Sequence, residues 1–105
     1  MTTALPEEEE YSGPAVIEAG GRRMPVHVAL SGRFEPVDGR YHWGGRVAPD
    51  QDVSDVIRGG TRSVIVQIGR RVAVAARLAD VDPWGGVRLA GVSRPPWATG
   101  EGEQT

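Results

Sequence analysis

Between residues 11 and 97 the apolar positions recur mostly with a period of two, which predicts strands with one buried face and not amphipathic helices. "GPAVIEA" reads as a first strand, closed by Gly20-Gly21. In "RMPVHVALSGRF" Val26, Val28, Leu30 and Phe34 share one face, while His27, Ala29, Ser31 and Arg33 take the other. "RYHWGGRVA" sets Tyr41 and Trp43 against Arg40, His42 and Gly44. Asp38-Gly39 between these two strands is a two-residue hairpin signal, and it predicts the pairs Val37/Arg40, Pro36/Tyr41, Glu35/His42 and Phe34/Trp43. That register makes Phe34, Pro36, Tyr41 and Trp43 the core side and places Glu35 and His42 on the side that carries any chemistry.

"PDQDVSDVIRGG" breaks the alternation. Asp50 or Asp52 is placed to cap a short helix over about 52–58, with Val53, Val56 and Ile57 on one face and Gly59 as its C′ residue. "TRSVIVQIG", "RRVAVAARLADV" and "GGVRLAGVS" follow as three strands, the first two meeting at a tight Gly69-Arg70 turn. Six short strands with Gly- and Pro-rich connections predict an all-β fold, a six-stranded antiparallel β-barrel or curled sandwich with one short helix.

The two ends differ from this body. Residues 1–10 and 98–105 are small, acidic and poor in apolar side chains, and are read as disordered acidic tails flanking a single domain over 11–97. Six of the fourteen acids lie in those ends, which leaves eight acids against twelve arginines in the body, near +4, although the whole chain is −2. The arginines stand singly or in pairs without an aromatic ladder, so nucleic-acid binding is not indicated. The chain has neither Lys nor Asn, whose codons are A-rich, and a high-G+C genome accounts for the all-Arg surface. With no cysteine, no leader pattern in the first residues and no apolar run of spanning length, the expectation is a cytoplasmic protein that does not cross a membrane and has neither a catalytic thiol nor a Cys-ligated metal.

Candidate chemistry gathers on the polar side of the hairpin. His42 with Glu35 or Asp38 could serve as general base and orienter, since a nearby carboxylate would raise the imidazole pKa and hold one tautomer; the plainer reading is a solvated ion pair across the strands. His27 lies on the same polar side, but no familiar ligand spacing joins it to His42, so no metal is assigned. No serine stands in a G-x-S-x-G elbow, and no glycine pair opens a helix as a phosphate loop does. Tyr11, Tyr41, Trp43, Trp84 and Trp97 either plug the barrel ends or, if the barrel is hollow, wall a ligand cavity in which Arg40 or Arg46 orients an anion. A cavity enclosing Trp43 or Trp84 with His42 opening into it would carry an enzyme of the cyclase or isomerase kind. A filled barrel with His42 in water would remove that support.

Two families bear on these residues. Cyclic-dinucleotide receptors of the PilZ type are six-stranded barrels with D-x-S-x-x-G; Asp52 and Ser54 fit, but Ile57 replaces the glycine and no R-x-x-x-R precedes it. The second match is broader: "YSGPAVIEAGGRRMPVHVALSGRFEPVDGRYHWGGRV" and "DPWGGVRLAGVSRPPW" resemble a family of small uncharacterised actinobacterial domains, stand-alone or attached to the C-terminus of flavin-containing monooxygenases. The motif positions are Phe34, Pro36, Asp38, Gly39, Arg40, Tyr41, His42, Trp43, Gly45 and Arg46, and the resemblance assigns none a catalytic role. The resemblance brings no established activity or cofactor, and the expectation is a non-enzymatic accessory or binding module with no cofactor assigned. Such a module would take a small apolar molecule or a flavin-dependent monooxygenase as partner in an oxidative or secondary-metabolite pathway, and could be a homodimer.

Overall fold

The computed structural model describes residues 8–92 and 94–97, apart from the side chains of Glu8, Glu9 and Asp80. Its strands are β1 (Glu8–Ala19), β2 (Arg22–Glu35), β3 (Arg40–Val47), β4 (Ser63–Gln67), β5 (Val74–Val81) and β6 (Val87–Val92), with helix α1 (Gln51–Arg58) between β3 and β4. They close into an antiparallel barrel in the order β1-β2-β3-β6-β5-β4, so the open sandwich alternative is set aside. The closing contact is short: β1 meets β4 only at Val16, Ile17 and Glu18, and among the described residues Glu8–Ala15 pairs with β2 alone.

Side chains from every strand converge inside. Ile17, Val28, Val47, Val66, Val87 and Leu89 are all but fully buried, and Trp43 lies among them with 3% exposure. Trp43 meets Trp97 edge to face at 6.3 Å and 81°, so the segment after β6 covers the barrel there, as expected for a plug. The tryptophan fits because Gly91 stands opposite it on β6; a Cβ at Gly91 would run into the indole ring. Gly44-Gly45 lets β3 approach both neighbours: a Cβ on Gly44 would lie 2.8 Å from the Leu89 carbonyl oxygen, and one on Gly45 would strike the Ala29 carbonyl.

Asp50 caps α1, its Oδ1 accepting from the Val53 amide at 3.1 Å, which turns Val53 and Ile57 into the core. Several boundaries move from the expected ones. The helix stops in right-handed geometry at Gly59, and the residue with positive φ (94°) is Gly60, so the C′ role shifts by one. β1 begins at Glu8, inside the stretch read as a tail: Glu8, Glu9 and Glu10 pair with Arg33, Gly32 and Ser31, and the cross-strand partner supplies what local composition could not show. The expected two-residue turn at Gly69-Arg70 is a longer connection over 68–73, in which Arg71 donates to the Ile68 carbonyl and the Gln67 side chain donates to the Arg71 carbonyl. Residues 1–7 and 98–105 lie outside the described residues.

The β2–β3 hairpin also differs. Its pairs are Glu35/Arg40, Phe34/Tyr41, Arg33/His42 and Gly32/Trp43, around a four-residue loop, 36–39. Pro36 has no N–H to give to the longer ladder, and the loop is closed instead by Gly39 N–H donating to the Glu35 carbonyl and Arg40 N–H to the Asp38 carboxylate, both at 2.9 Å. Each residue thereby meets a partner two places earlier, a shift that preserves the alternation of faces. Tyr41 and Trp43 still turn inward and His42 outward, whereas Phe34, expected in the core, is 53% exposed beside the loop.

Candidate functional site: an outer groove

The residues nominated from sequence do not form one site. His42 finds Asp38, not Glu35: its Nε2 lies 2.7 Å from Asp38 Oδ2. The imidazole and the Arg40 amide together draw the Asp38 carboxyl below its usual range. Glu35 pairs with Arg33 at 3.5 Å on the same outer face, because the register sets it opposite Arg40 and diagonal to His42. His42 is 40% exposed and Asp38 44%, in contact with water and outside the barrel. The filled interior and the outward imidazole weigh against a general base working in an enclosed pocket. Among the described residues no group of three or more His, Asp or Glu side chains gathers to hold a metal, and His27 stands apart and exposed.

Arg46 is committed elsewhere. Its guanidinium makes two hydrogen bonds to Asp82, Nε at 2.5 Å and Nη2 at 3.1 Å, and Asp82 Oδ1 also accepts from the Trp84 and Gly86 amides. The Arg46 hydrogen bonds, with help from the two amides, push the Asp82 carboxyl down to about 2. This corrects the expectation that Arg46 orients an anion in a cavity: it fastens the β5–β6 loop to β3. Arg40 is exposed at the hairpin loop and faces no cavity wall. Trp84, expected to plug or line the barrel, is 77% exposed because that loop turns it away from the core. Tyr11 and Tyr41 pack at the core's margin, and the Tyr11 hydroxyl donates to the Pro14 carbonyl at 2.7 Å. Neither ring walls a hollow interior.

The concave feature lies on the outside. An open groove of about 1250 Å³ crosses the outer face along the paired positions Ser31, Gly44, Ala90, Arg77 and Ser63, one from each of five adjacent strands. Small side chains floor it. Val92 and Ile65 present exposed apolar surface along it, His42 and Arg33 stand at one end, and Arg88 beside its middle. Of the residues nominated from sequence, His42, Glu35 and Trp43 line this groove. Its floor and rim residues were legible as polar-face positions of their strands, but their assembly depends on β3 meeting β6, a pairing that no local turn encodes.

Comparison with known proteins agrees with this extent. Residues 8–99 match the model of a family described as "Domain of unknown function (DUF4873)". The chain belongs to this family. Curated relatives include uncharacterised proteins of Mycobacterium bovis and of two strains of Mycobacterium tuberculosis, each 35% identical over 97 residues, which are 92% of this chain and 27% of the relative. The chain thus spans about a quarter of the length of those relatives. These sources fit an actinobacterial setting. No solved structure matches. Among the described residues no helix is long and apolar enough to cross a membrane.

Proposed function

We propose that this DUF4873 domain is a non-enzymatic accessory module that docks, through its outer groove, onto a larger oxidative enzyme of the flavin-dependent monooxygenase kind. One observation carries the reading: core side chains occupy the barrel interior, while five adjacent strands leave an open, small-floored groove on the outside. An enclosed small-molecule site holds about 300–1,000 Å³ and buries most of its ligand. This groove is larger and open along its length, which suits a segment of protein better than a small apolar molecule. The relatives support it in kind, because there the domain accounts for only 27% of a longer chain. The monooxygenase as partner, and an oxidative or secondary-metabolite pathway in the cytoplasm as setting, rest on the family resemblance. A homodimer does not enter the reading.

The test is sedimentation of the full chain with a flavin-containing monooxygenase from the same genome, repeated with Ala90→Arg, which fills the groove floor without touching the core. A complex formed by the native chain and lost in the variant supports docking. No complex, or equal binding by the variant, overturns it. Saturable stabilisation of the chain by dodecanoate, worth about 2.7 kcal/mol at 100 times its dissociation constant, and lost in Ala90→Arg, would transfer the groove to a small apolar ligand.

A further inference from the structure

Among the exposed arginines with no ion pair between described residues, which include Arg40, Arg70 and Arg71, Arg77 and Arg88 are the two that line the groove. Arg22, Arg23, Arg33, Arg46 and Arg58 are each ion-paired, to Asp52, Glu18, Glu35, Asp82 and Asp55 respectively. Arg77 and Arg88 are exposed and have no acidic partner among the described residues. They occupy neighbouring strands: Arg77 pairs with Ala90, which makes Arg88 its diagonal neighbour across the β5/β6 ladder. Both line the main groove and also a smaller depression beside it, so they form the ridge between the two.

Resting on the docking reading above, we propose that the groove takes an extended acidic segment of the partner protein, in which an acid–x–acid step lays one carboxylate on Arg77 and the next on Arg88. Spacing supports the match. Diagonal side chains on an antiparallel pair lie about 7–8 Å apart, and alternate residues of an extended chain, which point the same way, are about 6.8 Å apart. Guanidinium groups receive carboxylates bidentately, so two such pairs fix both register and direction of the bound segment. The groove crosses strands that are already paired with one another, so a segment lying in it is held by side chains and not by strand addition. The floor at Gly44, Ala75 and Ala90 admits the segment's backbone close to the sheet, with Val92 and Ile65 to meet its apolar residues. The body's surplus of arginine over acid draws such a segment in.

The experiment is a titration of the 15N-labelled full chain with the peptide acetyl-Ala-Glu-Ala-Glu-Ala-amide and with its Gln-for-Glu counterpart, followed by amide shifts. The Glu peptide is expected to move amides at 42–45, 75–79 and 88–92, and the Gln peptide to bind at least tenfold more weakly. Arg77→Ala/Arg88→Ala should weaken the Glu peptide at least tenfold, while Arg70→Ala/Arg71→Ala, on the β4–β5 connection, leaves it unchanged; dispersed spectra show that both variants are folded. Equal binding of the two peptides, unchanged binding by the Arg77/Arg88 variant, or no shift at 10 mM peptide overturns the proposal. So does a shift of these same amides on deleting residues 98–105, which would make the chain's own Glu101 and Glu103 the occupant. A monooxygenase complex that is sensitive to Ala90→Arg but not to Arg77→Ala/Arg88→Ala leaves docking standing and removes the acidic segment.

Discussion

Arg46 and Asp82 lie 36 positions apart in the chain and meet through two hydrogen bonds, and the same Asp82 carboxylate accepts the amides of Trp84 and Gly86. A Cβ at Gly86 would come to 2.5 Å from the Arg46 guanidinium carbon, so a side chain there would push the arginine off Asp82. The β5–β6 loop is therefore held by one anion with four donors. An exposed Trp84 rides on it in a fixed place.

Replacement of Asp82 by Asn removes the charge from that node and leaves at most part of its acceptor capacity. Amide exchange at Trp84 and Gly86 should quicken by an order of magnitude or more, and thermal stability should fall, with the core strands β1 and β4 little changed. Hydrogen exchange read by NMR checks both statements. Equal exchange in the two proteins would mean the loop holds itself.

The same node fixes an acid limb. Asp82 has a folded-state pKa of about 2 against about 3.9 in an unfolded chain, so its contribution is fully present above about pH 4 and is lost as pH falls towards 2. Asp38, also drawn down, acts in the same direction. Urea midpoints measured from pH 6 to pH 2 should decline through that window, and Asp82→Asn should flatten the decline. An unchanged slope in the variant would assign the acid limb to other carboxylates.

Trp43 ties the interior to the segment after β6. Trp43→Ala should cost about 3–5 kcal/mol, the range for deleting a large buried aromatic, and should release Trp97. Chemical denaturation gives the first quantity, and a red shift of the remaining tryptophan emission reports the second. A loss below about 1 kcal/mol would contradict a Trp43 packed at the centre of the barrel.

These elements differ in how far the amino-acid sequence alone makes them legible. Tyr41 and Trp43 inward and His42 outward follow from alternation, and Asp50 as helix cap follows from side-chain chemistry one turn long. Which of its two candidate partners His42 takes does not follow, because Pro36 and the Asp38 side chain together select a four-residue loop where Asp-Gly suggests two. Arg46 looks available in the sequence since its acceptor lies on a distant loop, and Phe34 looks buried since its position has the right parity but falls at the strand's end. The groove is least legible of all. Its floor is a row of one residue from each of five strands, and that row exists only once β3 pairs with β6, 40 or more residues along the chain.

Closure also sets which glycines are fixed by space and which by conformation. At Gly45 an added Cβ would strike the Ala29 carbonyl, a backbone atom with no rotamer to yield, whereas at Gly44 the nearest atom is the Leu89 carbonyl oxygen at 2.8 Å. At Gly20 nothing stands within 4 Å, and only its φ of 57° opposes a side chain. Alanine at these positions should therefore destabilise in the order Gly45, Gly44, Gly20, with about 1–2 kcal/mol at Gly20 from the left-handed backbone and more at the other two, where strands must separate. Urea denaturation of the three single variants reads the order. Gly45→Ala no worse than Gly20→Ala would show that β3 does not need its close approach to β2.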